Sequence, residues 1–293
     1  MNRNNYALLV LLLSMFVLAA CDNDAHKDEN GFTISMNIPN DDTSGDVSLW
    51  IYKADGALVD EYSYTSVSEL AQQRYVLPTG NYVLIAANNL VEPFSAEKMT
   101  ANGVKPYEGL LFKLSNASAS PTHAHYGVQN VAVDAAKASR VDVKMNRILA
   151  EVQFTIKGVP AEVTKVDAKI TNAATSFLPY SGQLLPAIEV VDLGSVTPQN
   201  GYVVFPLKRV MPVIDMYVRT VSAAFTRFAF IFHYTDGSTI ELTATSPAIE
   251  NGGSYTPEVV YDIFRPGIEI TISTINGWEE GKTTEGEILN PME

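Results

Sequence analysis

Residues 47–59 read Val-Ser-Leu-Trp-Ile-Tyr-Lys-Ala-Asp-Gly-Ala-Leu-Val, and this stretch decides the fold class. Its first half alternates apolar and other positions, which is the period of a β-strand with one buried face. The apolar positions that share this face are Val47, Leu49 and Ile51. Asp55-Gly56 is a dipeptide typical of tight hairpin turns, and an apolar run follows it. The stretch therefore predicts an antiparallel β-hairpin.

Alternating apolar residues recur along most of the chain, and each run predicts a further strand. The runs cover residues 32–38, 82–86, 110–114, 141–145, 152–156, 166–170, 228–232 and 268–272. In residues 82–86 either the even or the odd positions suit a core face. Asp236-Gly237 predicts a second hairpin, and Pro78-Thr79-Gly80 another turn. Regular strands with few helices predict an all-β protein built from antiparallel β-sandwiches.

Helical signals are few. Ser66 precedes a short stretch to Arg74 and has Glu69 three residues later, which is the spacing of a capping box. A second short helix is expected near Ser95.

The chain divides near Asn146-Arg147, where one set of strands ends and a new alternating run begins. We expect two tandem β-sandwiches with few short helices, residues 31–146 and residues 147–293, the second with a polar tail. Residues 21–30 are acidic and polar and predict a flexible tether.

The first 20 residues have the layout of a bacterial lipoprotein signal peptide. Arg3 precedes an apolar run, and Leu18-Ala19-Ala20 leads directly to Cys21, the only cysteine. We expect cleavage before Cys21 and acylation of its thiol, so that Cys21 is the lipid attachment site and holds the protein on a membrane. The acidic residues that follow Cys21 fit either a surface-export signal or a solvated linker.

Charge and composition exclude several classes of function. The whole chain carries a formal charge of −13, and removal of residues 1–20 takes away one arginine, which leaves −14. An acidic chain is a poor partner for nucleic acid. With its only thiol acylated, the mature chain has no disulfides and no cysteine metal sites.

Three segments carry a resemblance to a known family. Residues 47–59 and 75–89 resemble the first domain of Bacteroidales fimbrillin-like lipoproteins, and residues 147–160 resemble the start of the second. The resemblance implies two transthyretin-like sandwiches and a place in a fimbria (pilus) whose subunits join by strand exchange or docking. In that family an arginine- or lysine-specific protease removes the first strand of each stalk subunit, and a neighbour's strand fills the groove.

Within the family, this sequence is most like the FimB-type fimbrial anchor. Between Cys21 and Arg74 the only basic residues are Lys27, which precedes the first predicted strand, and Lys53, which is expected in the turn after the second. Residues 273–293 are polar and make a poor donor strand. We therefore expect a non-catalytic subunit that stays attached to the outer membrane, is exposed on the cell surface and limits assembly.

Two alternatives remain open. One is a tip or stand-alone adhesin that contacts a host protein through residues 91–109 or 177–200. The other is a glycan-binding lipoprotein of a polysaccharide uptake system. A sugar platform requires exposed aromatic residues, and the candidates on neighbouring strands are Trp50, Tyr52, Tyr62 and Tyr64. Cross-strand packing within the sheet is the favoured interpretation of these four.

The sequence predicts neither catalysis nor a metal or cofactor site. His123 and His125 stand two apart, as a strand-borne metal pair would, but the sequence places no cysteine or paired carboxylate beside them. No nucleophile, phosphate-loop or dinucleotide motif occurs. We predict no catalytic residues, no metal and no cofactor. Trp278 is expected to cover one end of the second sandwich.

Overall fold

The structure is a computed structural model that describes residues 31–38, 45–134, 139–185, 188–213, 225–263 and 270–271. The signal peptide, Cys21, the tether, Trp278 and the polar tail lie outside these residues. The first twelve strands are β1 (Gly31–Asn37), β2 (Val47–Lys53), β3 (Leu58–Tyr64), β4 (Tyr75–Val76), β5 (Gly80–Asn88), β6 (Phe94–Lys98), β7 (Leu110–Leu114), β8 (His125–Val133), β9 (Ser139–Lys144), β10 (Asn146–Arg147), β11 (Ala150–Val152) and β12 (Thr155–Lys157). The others are β13 (Val163–Ala174), β14 (Ser176–Leu178), β15 (Gln183–Leu184), β16 (Ile188–Val196), β17 (Tyr202–Val204), β18 (Lys208–Val210), β19 (Phe225–Tyr234), β20 (Thr239–Pro247), β21 (Ser254–Tyr255), β22 (Glu258–Val260) and β23 (Ile270–Thr271).

Helices are few in the described ranges, as the sequence predicts. They are α1 (Val67–Ala71) and the 3-10 helices Ala117–Ala119 and Tyr261–Ile263. No helix in the described part of the chain is long and apolar enough to cross a membrane. The prediction of an all-β sandwich protein is confirmed.

The N-terminal half contains two sheets that face each other. The first sheet has the strand order β4-β1-β9, and the central sheet has the order β10-β8-β5-β2-β3. The predicted apolar face of β1 and the faces of β2 and β9 meet in one core, and the Asp55-Gly56 turn connects β2 to β3 as predicted. Gly56 has a φ of 109°, which this turn requires and which L side chains rarely adopt.

Strand β5 is buried on both faces, so both patterns that the sequence allowed for residues 82–86 are used. Tyr82, Leu84 and Ala86 face the first sheet, whereas Val83 and Ile85 face a second core on the opposite side. The central sheet is therefore the middle layer of three.

A bridging sheet covers the outer face of the central sheet, with the order β15-β14-β7-β6. It combines strands from both sides of residues 146–147, because β7 pairs with β14. Phe112 on β7 lies 5.5 Å from Phe177 on β14 and 5.7 Å from Trp50 in the central sheet, between ring centroids. One apolar cluster consequently runs through both halves of the chain.

The C-terminal half packs a five-stranded sheet, β16-β13-β19-β20-β23, against two three-stranded sheets, β18-β11-β21 and β17-β12-β22. Phe154 on the smaller side lies 4.9 Å and 4.8 Å from Phe228 and Phe230, between ring centroids. Asp236-Gly237 connects β19 to β20, as the sequence predicts. The domain limits 31–146 and 147–293 stay a prediction: β10 at 146–147 completes the central sheet, and the apolar cluster is continuous across it.

Two local predictions have different outcomes. Ser66 caps α1 by accepting a hydrogen bond from the Glu69 amide at 3.1 Å, and Glu69 in turn accepts from the Thr65 amide at 2.8 Å. The helix near Ser95 is wrong, because Ser95 lies in β6. Pairing with β7 and the burial of Phe94 outweigh the local preference.

The sheets are not entirely antiparallel. The pairs β1–β9, β11–β21, β12–β22 and β20–β23 run parallel. Parallel strands need a long crossover, and here almost the whole N-terminal half connects β1 to β9. Alternation along one strand does not reveal this choice, which depends on where distant strands meet.

Candidate functional site

The first strand fills a slot between β4 and β9, and this slot is the candidate functional site. Along its length, alternate side chains enter the core between the first and central sheets. They are Phe32, Ile34, Met36 and Ile38, and all four are buried. Six residue pairs join β1 to β9, and two join it to β4.

Aromatic rings close the slot at the end nearest Cys21 in sequence. Phe32 stacks on Tyr75 with 5.5 Å between ring centroids, and Tyr62 meets Tyr75 edge-on at 5.3 Å. The Tyr75 hydroxyl donates a hydrogen bond to Tyr64 at 2.8 Å. Burial, with this hydrogen bond as a further cause, raises the pKa of Tyr75 well above its usual value. The phenol therefore stays neutral and fixes this end of β1 by packing.

Polar contacts line the exposed side of the slot. Arg140 on β9 donates from Nη2 to Ser35 Oγ at 2.8 Å and from Nε to Asp142 Oδ1 at 3.0 Å. Beyond the strand, the Met145 amide donates to the Asn37 carbonyl at 2.9 Å. The strand is thus held along its whole length.

Between β1 and the end of β2 the sequence has no lysine or arginine at which a basic-residue-specific protease could remove β1. Lys27 precedes β1, and the next basic residue in the sequence is Lys53. The expectation that Lys53 lies in the turn is wrong: it is the exposed last residue of β2, because β2 extends one residue further before the turn.

A second feature is an apolar face on the small β17-β12-β22 sheet. Tyr202, Val204 and Val260 are exposed by 50%, 49% and 39%, and by strand register all three lie on the same face. Phe205 donates its amide to the Phe154 carbonyl at 2.9 Å. Alternation in antiparallel pairs then directs the Val204 N–H and C=O away from β12, toward the side of β17 on which no described strand pairs. Sequence reasoning missed this strand, although the preceding Asn200-Gly201 turn signal indicates it.

The four aromatic residues do not form a sugar platform. Trp50 and Tyr52 are 2% and 1% exposed and face the bridging sheet, whereas Tyr62 and Tyr64 face the first sheet. Trp50 Nε1 also donates to Glu61 Oε1 at 2.7 Å. Cross-strand packing among the four is not what the structure has either: the rings pack between layers, Trp50 against Phe112 of the bridging sheet and Tyr62 against Tyr75 of the first sheet.

His123 has a carboxylate beside it that the sequence did not reveal. Its Nε2 lies 3.0 Å from Glu151 Oε1, and Arg209 Nε lies 3.0 Å from the same oxygen. The guanidinium occupies the place that a cation would take. Across the described ranges, no group of three or more His, Cys, Asp or Glu side chains is arranged to hold a metal ion.

Asp167, Ser195 and His233 form a trio on the five-stranded sheet. His233 Nε2 lies 2.6 Å from Asp167 Oδ2, and Ser195 donates to the other carboxylate oxygen. Partial burial raises the pKa of Asp167, but hydrogen bonds from Ser195, His233 and Lys165 outweigh it and leave the pKa below its usual value. The carboxylate stands between the hydroxyl and the imidazole, which differs from a nucleophile–base pair, in which the imidazole contacts the hydroxyl directly.

The two segments considered as contact loops for an adhesin both contain strands. Residues 91–109 contain β6, and residues 177–200 contain most of β14 together with β15 and β16. Four side chains on these strands, Phe94, Phe177, Val191 and Leu193, are buried in the core and are not available for recognition.

Comparisons with known proteins agree with this fold. A family model described as "Fimbrillin-A associated anchor proteins Mfa1 and Mfa2" matches residues 26–282. No curated protein matches the chain. Among solved structures, the fimbrial anchor protein Mfa2 from Porphyromonas gingivalis is 11% identical with a TM-score of 0.55, covering 85% of this chain and 96% of that one.

Two candidate adhesins have similar folds. One from Bacteroides ovatus is 13% identical, has a TM-score of 0.58 and covers 87% of this chain and 94% of its own. One from Bacteroides thetaiotaomicron is 16% identical, has a TM-score of 0.55 and covers 80% and 91%. At these identities the likeness establishes the fold.

Proposed function

Because this chain belongs to the Mfa2 family of fimbrillin-A associated anchor proteins, we propose that it is the lipid-anchored subunit that fixes a fimbria to the outer membrane and ends its assembly. The family associates the protein with the cell surface and with other fimbrial components. The specific anchor role, the acylation of Cys21 and a purely non-catalytic action are part of the proposal.

The observation that supports the anchor role most directly is the occupied β1 slot. Four buried apolar side chains, three on β1 and Ile38 directly after it, fill the groove, and each contributes about 1.5–3 kcal/mol of transfer free energy. Since β1 remains covalently attached, a foreign strand competes with a segment whose effective concentration is about millimolar or higher. A closed slot accepts no donor, so assembly stops at this subunit.

The same strand joins the body to the lipid. Gly31, the first residue of β1, follows Cys21 by ten residues, which span at most about 35 Å when extended. Lys27 is the only basic residue between them. A protease acting at Lys27 therefore separates the lipid from the body without opening the slot.

We further propose that the Tyr202–Val204–Val260 face is where a fimbrial subunit docks. Exposed apolar residues on one sheet face favour contact with another protein. The outward backbone of Val204 offers an edge for pairing with an added strand. The Lys157–Glu258 ion pair crosses the same face and adds polar contacts.

Docking is tested with one substitution at two sites. Val204→Lys places a charge in the face, and Val190→Lys makes the same change at a residue of β16 with 53% exposure. Detergent-solubilised fimbriae should retain the Val190→Lys protein and lose the Val204→Lys protein. Equal retention of both contradicts docking at this face.

The anchor role is tested in cells that express the processing protease. Cys21→Ala removes the acylation site, and Thr43→Arg creates a basic cleavage residue between β1 and β2. Both changes should shed long fimbriae into the medium. Cys21→Ala leaves the body without a lipid, and cleavage after residue 43 ends the covalent link of β1 to the body, so that a donor strand can displace β1 together with the lipid. Thr43→Gln is the matched control and should leave fimbriae attached. Cell-bound fimbriae of normal length in both variants would refute the proposal.

The adhesin alternative gives a different result. If the protein is a tip or stand-alone adhesin, the Cys21→Ala strain should keep its fimbriae attached, and its cells should bind less to host proteins.

A further inference from the structure

We propose that the parallel β1–β9 ladder is a mechanical clamp that carries tension between the membrane and the fimbria in shear. The inference rests on the proposed anchor function, because only an anchor transmits this load.

The ends of the two strands are arranged for shear. Phe32 pairs with Ser139 at one end of the ladder, and Asn37 pairs with Lys144 at the other. The chain toward Cys21 leaves β1 at the first end. The chain toward the C-terminal half leaves β9 at the second end, where Met145 also bonds to Asn37. Since the strands are parallel, a pull between the lipid and the C-terminal half acts along the ladder from opposite ends.

A shear force strains all the residue pairs of the ladder at the same time rather than one after another. Six residue pairs join the strands, and a lengthwise pull strains all of them at once. A pull that separates the strands from one end breaks the pairs one after another. The antiparallel contact with β4 covers only two pairs and adds little in either geometry.

The buried face of β1 adds a second barrier to sliding. A shift by one residue would turn Phe32, Ile34 and Met36 toward the exposed side and bring Thr33 and Ser35 into the core. The strand therefore has to slip by two residues before any native-like arrangement returns. Each step also breaks the Phe32–Tyr75 stack and the Arg140–Ser35 hydrogen bond.

The choice of strand pairing is what makes this device possible. An antiparallel β1–β9 pair would place the exit toward the lipid and the exit toward the C-terminal half at the same end. Tension would then open the pair from that end. The parallel pairing, which the alternating pattern of the sequence did not predict, gives the resistant geometry.

Single-molecule force spectroscopy tests the proposal on the mature chain, residues 21–293, made without acylation. Cys21 is the only cysteine and serves as one handle. For shear, the second handle is Asp236→Cys, in the exposed turn between β19 and β20. To separate the two strands from one end, the second handle is Asp134→Cys. Asp134 lies in the sequence between the end of β8 and the start of β9.

The release of the N-terminal half is identified by its gain in contour length, about 400 Å for residues 31–145 in shear and less for residues 31–134. Rupture force reports the barrier to unfolding rather than equilibrium stability. We expect a several-fold higher rupture force in shear than in separation at the same loading rate. Equal forces, or a lower force in shear, would overturn the clamp.

This outcome is independent of the test of the anchor role. Fimbrial shedding in still culture reports whether the protein holds the fimbria. The force measurement reports how the isolated protein resists load.

Discussion

Replacing Ile34 by alanine tests whether β1 is an integral strand of the N-terminal core. Ile34 lies in the middle of β1, is 1% exposed and packs between the first and central sheets. The substitution removes three buried carbon atoms and leaves a cavity in a core bounded by regular strands.

The expected cost follows from this burial. Isoleucine-to-alanine changes in protein cores destabilise by about 2–5 kcal/mol, depending on how far the site can collapse. Because β9 fixes the backbone of β1 on one side, we expect about 3 kcal/mol for Ile34→Ala. With a urea m-value of about 3 kcal/mol/M, the midpoint of unfolding falls by about 1 M.

Equilibrium unfolding in urea, followed by tyrosine and tryptophan fluorescence, measures the change. Ser35→Ala is the control on the next residue of the same strand, where loss of the hydrogen bond from Arg140 costs at most about 1 kcal/mol. A loss below about 1 kcal/mol for Ile34→Ala, or a loss equal to the control, contradicts the burial of β1 and the closed slot that depends on it.

Three further predictions concern the sheets and the helix cap. Lys98 donates to Glu61 at 2.5 Å, and this bond is the main cause of the lowered pKa of Glu61. Lys98→Met should therefore raise that pKa toward its usual value in an NMR titration. Since the pKa of Glu61 is lower in the folded than in the unfolded protein, the ion pair stabilises the fold at neutral pH, and this stabilisation is lost as the pH falls through the folded pKa. Both side chains are nearly half exposed, so the loss of stability stays below about 1 kcal/mol. Gly127→Ala should destabilise by about 1–3 kcal/mol in urea, because its Cβ would lie 2.6 Å from a backbone oxygen of β9. Gly80→Ala, whose Cβ meets no neighbour closer than 3.6 Å, is the matched control and should stay within about 1 kcal/mol of the parent. Ser66→Ala removes the cap of α1 and should cost about 0.5–2 kcal/mol by the same measurement, whereas no change would show that the cap is dispensable.

Local features of the fold follow from the sequence because they depend on neighbouring residues. The Asp55-Gly56 turn, the Ser66 cap and the buried alternation of β1 are all confirmed. The helix near Ser95 fails because burial of Phe94 and pairing with β7 decide that segment.

The candidate site was predictable in part. The sequence has no basic residue between Lys27 and Lys53, and this absence predicts that the first strand stays attached to the protein. The exposed Tyr202 and Val204 were missed because an alternating strand does not show by itself which face lies against a core.

The sequence by itself determined many of the strands, the two Asp-Gly hairpin turns and which family the chain resembles, because period, turn residues and motifs are local. Only the tertiary structure decided that β1 pairs in parallel with β9, that β7 joins β14 in a shared sheet and that β5 is buried on both faces. These contacts join residues far apart in the chain, such as Ser35 and Arg140. Such pairs form because they close the cores together, and no local preference specifies them.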